Sequence, residues 1–131
     1  MAVTSTPIFV QTPKNASVAL TATGNTNVDG TTGTYTTLMT AGSNGSKVER
    51  IRLICTGTVA EKVRIFVGGK LFTEVLFAAV TPSNTVTSLF ADIDCSQAGN
   101  ALILSASSVI IANVNTGTSC LVHAQVFYWD F

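Results

Sequence analysis

The residues able to do chemistry are few, and their spacing is unhelpful to it. His123 is the only histidine. It stands between Val122 and Ala124 in an alternating stretch, with no nucleophile or acid close in sequence. A triad or a histidine-based metal site needs such partners to converge on the ring, so His123 reads as structural. Asp92 and Asp94 are two apart and share one face of a strand. They could offer oxygens to Ca²⁺, but that ion takes six to eight, and a solvated strand end is the simpler reading. Among seven carboxylates no two stand out as an acid pair for glycoside hydrolysis. Cys55, Cys95 and Cys120 form an odd set without a C-x-x-C, which reads as buried thiols. The paired glycines open no helix and so build no phosphate loop. The expectation is a non-enzyme with no catalytic residue, cofactor or metal.

One cluster rises above this background. Five of the seven Lys and Arg residues, Lys47, Arg50, Arg52, Lys62 and Arg64, lie between positions 47 and 64. Two strand-like runs, 47–56 and 61–67, carry them, joined by Gly57-Thr58-Val59-Ala60. Alternation puts Glu49, Ile51, Leu53 and Cys55 on one face of the first run, and Val48, Arg50, Arg52 and Ile54 on the other. In the second run Val63, Ile65 and Val67 oppose Lys62, Arg64 and Phe66. Read as an antiparallel hairpin, these runs bring Arg50 or Arg52 near Lys62 or Arg64. Like charges opposite one another are destabilising unless anions intervene. Two readings follow. The cations tie their own sheet together through surface pairs, or Arg50, Arg52, Lys62 and Arg64 dock an acidic protein partner through forked carboxylate contacts.

The rest of the chain is a succession of short strands. Runs at 16–23, 35–41, 70–78, 85–93, 101–105, 108–115 and 120–130 alternate or are Val/Thr-rich. Turn chemistry separates them at Asp29-Gly30, Asn44-Gly45, Gly68-Gly69, Pro82-Ser83-Asn84 and Asn115-Thr116-Gly117. No stretch has helical periodicity with caps, and no repeat of 20–50 residues appears. The spacing predicts an all-β, antiparallel two-sheet β-sandwich, jelly-roll-like, with an extended N-terminal arm. The arm is assigned to 1–15 and the sandwich to 16–131. Pro7 and Pro13 remove backbone donors and favour extended geometry around the sticky run Ile8-Phe9-Val10. Such an arm pairs at a sheet edge or lies on a neighbouring subunit.

At 131 residues the chain is one domain, with enough length for a core. Charged residues are 11%, against about 25% in soluble domains, which points to surface covered by other protein. Net charge is zero, which excludes bulk electrostatic binding of nucleic acid. No apolar run reaches the roughly 18 residues that span a bilayer, so no membrane is expected. The N-terminus lacks a basic segment followed by an apolar one, so no signal peptide is read there and synthesis is expected in a host cytoplasm.

The segments TPIFVQTPKNA (6–16), NTNVDGTTGTYTTLMTAGSNGSKVERIRLICTGT (25–58), VRIFVGG (63–69) and VTPSNTVTSLFADID (80–94) resemble a family of small virion structural proteins of tailed bacteriophages. The resemblance covers the first 94 residues; 95–108 departs from the expected pattern. It implies a capsid decoration, or cement, protein on the virion surface that stabilises the shell. The implied partners are the major capsid protein and further copies of itself, most simply as a homotrimer. The competing reading is a tail- or fibre-associated module that recognises a host receptor or glycan through Tyr35, Tyr128 or Trp129.

Overall fold

The computed structural model describes residues 12–20, 23–96, 101–116 and 121–131. Nine strands follow one another: β1 (Thr12–Ala19), β2 (Thr36–Thr40), β3 (Ser46–Cys55), β4 (Glu61–Val67), β5 (Lys70–Phe77), β6 (Leu89–Asp94), β7 (Leu102–Leu104), β8 (Val109–Val114) and β9 (Val122–Asp130). One sheet runs β1-β9-β3-β6, with β7 also on β3; the other runs β2-β8-β4-β5. All pairings are antiparallel. Successive strands thus alternate between sheets except along β4–β5 and β6–β7, which is the jelly-roll arrangement that the strand spacing predicts. The described residues contain no helix, hence none long and apolar enough to cross a membrane.

Period-two alternation builds the core. Ile51 and Leu53 of β3, Val63 and Ile65 of β4, Ile110 and Val114 of β8, and Val122 and Val126 of β9 are all fully buried between the sheets. Each large side chain there contributes roughly 1.5–3 kcal/mol relative to exposure. The β1 strand begins at Thr12, so residues 12–15, assigned to the arm, pair with Phe127–Asp130. Residues 1–11, with Ile8, Phe9 and Val10, lie outside the described residues.

Three sequence expectations are corrected. The runs 47–56 and 61–67 do not form a hairpin. The β3 strand pairs with β9, β6 and β7, and β4 with β8 and β5. A short Gly-containing connection serves a hairpin or a crossing between sheets equally well, and here the crossing separates four like charges. In β3, a bulge between Val48 and Arg50 moves Val48 to the core face, where it is fully buried. An extra residue shifts the facing of all that precedes it. Finally, Cys55 is disulfide-bonded, so the thiol reading fails for it. Cys95 is a free, buried thiol, its pKa raised by burial and by Asp94 and Glu49.

The crossing from β3 to β4 is fixed by Glu61, the first residue of β4. Its side chain faces the interior and is 1% exposed. It accepts hydrogen bonds from the backbone N–H of Asn115 at 2.7 Å and of Thr116 at 3.1 Å, and from Thr116 Oγ1 at 2.6 Å. The Lys62 N–H adds another at 3.1 Å. A carboxylate withdrawn from water needs such donors. Glu61 therefore binds the start of β4 to the chain leaving β8.

The loop 24–35 is folded against the outer face of the four-stranded sheet. Asn25 Nδ2 donates to the carbonyls of Thr32 and Thr34, and its Oδ1 accepts from the Asn27 N–H. The Asp29 carboxylate accepts from Thr32 Oγ1, the N–H groups of Thr31 and Thr32, and the Tyr35 hydroxyl. The Thr32 hydroxyl, then the two backbone donors, hold Asp29 well below the usual carboxylate range. The Tyr35 ring meets Phe66 edge-on at 5.2 Å, and Asn113 Nδ2 reaches the Asn27 carbonyl. Gly30 has φ +76°, and a Cβ there would strike the Gly69 carbonyl, so only glycine permits this approach.

Removing the Glu61 carboxylate leaves its buried donors without an acceptor. Glu61→Ala is expected to cost about 1–3 kcal/mol, lowering the melting temperature by about 5–12 °C in a domain this size. Calorimetry checks this; a shift under a few degrees would show that Glu61 does not fix the crossing.

Candidate functional site

The outer face of the five-stranded sheet is the candidate site. Strand register builds it in rows across β9, β3 and β6. His123, Ile54 and Phe90 make one row, and Gln125, Arg52 and Asp92 the next. Phe127, Arg50 and Asp94 make the third. Trp129, Lys47 and Ile103 of β7 make the last. The complementary positions, Ile51, Leu53, Ala124 and Val126, are buried in the core, which fixes these side chains outward.

Two arginines have defined partners here. Arg52 forks onto Asp92 through Nε and one terminal nitrogen, both at 2.8 Å, and its guanidinium lies 5.0 Å over the Phe90 ring. Arg50 lies 4.8 Å over the Phe127 ring. Forked pairing fixes direction as well as charge, and stacking on a ring restrains the plane. The hydrogen bond and charge of Asp92 raise the Arg52 pKa, and those of Arg52 lower that of Asp92. Lys47 approaches Glu49 at 3.4 Å. The cations Lys47, Arg50 and Arg52 thus stand among Glu49, Asp92 and Asp94, and the face is close to neutral.

The other two predicted contacts are in the other sheet. Arg64 is 6% exposed, with Nε on Glu74 at 3.1 Å and a terminal nitrogen on Asn115 Oδ1 at 2.6 Å. It holds β4 to β5 and to the end of β8. Lys62 is half-buried at the start of β4, opposite Leu76. The structure therefore brings Arg50 and Arg52 together and sets Lys62 and Arg64 apart from them. Of the aromatic candidates, Tyr35 is engaged in loop 24–35, Tyr128 packs against the core, and Trp129 lies on the candidate face.

Phe90, His123, Gln125 and Phe127 belong to this face and were not singled out as site residues. The alternation 123-125-127-129 in β9 is legible in the sequence; that β9 and β6 flank β3 is not. Between Arg52, Ile54, Phe90, His123 and Gln125 the surface dips into a cavity of about 250 Å³. Among the described residues no group of three His, Cys, Asp or Glu side chains converges as a metal would require.

No family model and no curated protein matches the chain. Among solved structures it is similar to the cryo-EM structure of the giant freshwater prawn Macrobrachium rosenbergii extra small virus (XSV) VLP. The identity is 12%, over 99% of this chain and 87% of that one, with a TM-score of 0.41. Likeness at that level carries no function across, and jelly rolls serve shells and lectins alike.

The two arginine environments predict opposite behaviour. Arg64→Ala removes a buried side chain together with its bonds to half-buried Asn115 and exposed Glu74, and is expected to cost about 1–3 kcal/mol in thermal or denaturant unfolding. Arg52→Ala should leave the melting temperature nearly unchanged. Its effect appears instead in the Asp92 carboxyl, which should titrate closer to the ordinary 3.8 in an NMR titration. Because the folded Asp92 pKa lies below the unfolded one, its contribution is present above about pH 4 and fades as pH falls through the folded value. Equal melting temperatures for the two variants would contradict this assignment.

Proposed function

We propose that the chain is a structural subunit of a virion, specifically a decoration protein on the capsid surface of a tailed bacteriophage. In this reading it binds the major capsid protein and associates with copies of itself as a homotrimer. The observation that carries it is the edge strand β5. This strand closes one side of the four-stranded sheet, and exposes Leu71 at 42%, Phe72 at 44% and Leu76 at 70%. An edge strand with bare apolar side chains is a template for another chain. In a chain with so few charges, burial against a neighbouring subunit is the natural resolution.

Three further observations support it. The segments that resemble phage virion proteins include residues that hold parts of this fold together: Asn25, Asp29 and Gly30 in the loop, the bulge at Glu49 in β3, and Arg64 in β4. The disulfide at Cys55 suits a protein whose working life is in an oxidising medium outside the cell. The β1 strand lies at a sheet edge, a place where a neighbouring chain can add; the arm with Ile8, Phe9 and Val10 is part of this proposal as a contact to such a neighbour. Of the two arginines on the open face, Arg50, stacked on Phe127, is the cation this reading would present to an acidic surface, since Asp92 already meets the Arg52 charge.

Phe72→Glu together with Leu76→Glu tests the edge. Both side chains are exposed, so the monomer fold should persist by circular dichroism. The wild-type protein should scatter light as a trimer at micromolar concentration and the double variant as a monomer. A monomeric wild-type protein that also fails to appear on reconstructed particles overturns the proposal.

A further inference from the structure

We infer that the cavity on the outer face of the five-stranded sheet is a binding site for a neutral saccharide, one ring in size. The inference does not depend on the chain being part of a shell. The cavity holds about 250 Å³, below the usual range for drug-sized ligands and suited to a single sugar unit. Its apolar part is Ile54 and the Phe90 side chain, which is 59% exposed. The Arg52 guanidinium lies over this ring, and the remaining exposed ring surface is what the C–H side of a pyranose would meet.

The polar part is the argument for a saccharide over an anion. The Arg52 fork leaves one terminal nitrogen outside the pair with Asp92. The same fork matches the Arg52 charge from outside the cavity lining, and Gln125 and His123 set donors and acceptors beside it. Vicinal hydroxyls require that mixture, because each both donates and accepts. A phosphate or sulfate would instead have to compete with the Asp92 carboxylate for the Arg52 charge. Arg52 is forked onto its cross-strand neighbour Asp92 and lies over the Phe90 ring, so its remaining donor is oriented before any ligand arrives. Such preorganisation lowers the ordering cost of binding. Gln125 and His123 are exposed on β9 and supply an amide and an imidazole from the opposite wall, each with both donor and acceptor character. These groups come from three adjacent strands of a sheet whose other face is the core, which makes the constellation rigid.

The test is saturation-transfer NMR on the intact protein. The probes are the methyl glycosides of glucose, galactose, mannose and N-acetylglucosamine. At least one should show transfer with a Kd on the order of 1–10 mM, the range of about −3 to −4 kcal/mol. Phe90→Ala and Gln125→Ala, both at exposed positions, should keep the melting temperature and weaken that binding at least tenfold. No transfer to any of the glycosides at about 10 mM overturns the inference. So does transfer that persists in both variants. Variants that lose attachment to a particle while no glycoside binds would overturn it in favour of a protein partner on this face.

Discussion

The Glu61 carboxylate is the interaction on which the arrangement of the molecule depends. A charged group 1% exposed is tolerated only because backbone and hydroxyl donors surround it. Those donors come from the chain leaving β8, so satisfying the carboxylate also brings β4 beside β8. With β4 committed to that sheet, β3 is left to β9, β6 and β7. The cations that crowd together in sequence are then divided between two sheets on opposite sides of the core. Arg64 becomes internal wiring, and Arg50 and Arg52 become surface.

The two outer faces consequently differ in kind. On the four-stranded sheet, loop 24–35 lies over β8 and β4, with Phe66 and Asn113 buried under it. That loop is stiffened by its own side chains, Asn25 and Asp29 above all, in the manner of Asx turns. What stays open there is the rim at β5. On the five-stranded sheet nothing among the described residues covers the face, and its side chains are instead organised laterally by Arg–carboxylate and Arg–aromatic contacts. A molecule with one sealed face, one organised open face and one apolar edge offers two separate surfaces for partners. The edge suits association of copies; the neutral, ring-rich face suits a small polar ligand.

Much of the architecture was legible because alternation is a local property. The limits of β4 at 61 and 67 follow from the Val63-Ile65-Val67 pattern and the glycines after it. The absence of helix follows from Val and Thr density, and the β4–β5 hairpin from Gly68-Gly69. Pairing is not local, and the error over β3 and β4 arose there. A five-residue link with one glycine is silent about whether it turns within a sheet or between sheets. The bulge at Glu49 was hidden for a related reason, since bulges are set by what the partner strand requires. Glu61 carries no local signal, because all its donors but the Lys62 N–H are more than fifty residues away. The candidate face was half visible: Arg50 and Arg52 announced themselves as cations. Phe90, Asp92, Gln125 and His123 acquire meaning only when β6 and β9 are placed on either side of β3.

The division of the cations between two sheets is the claim from which the functional reading follows, and cross-strand nuclear Overhauser contacts test it most directly. The account predicts backbone contacts from Arg52 to Gln125 and Asp92, and from Arg64 to Asn113 and Glu74, as the strand registers require. Contacts between Arg50 or Arg52 and Lys62 or Arg64 would contradict it, restoring a single cationic hairpin and removing the open, neutral face.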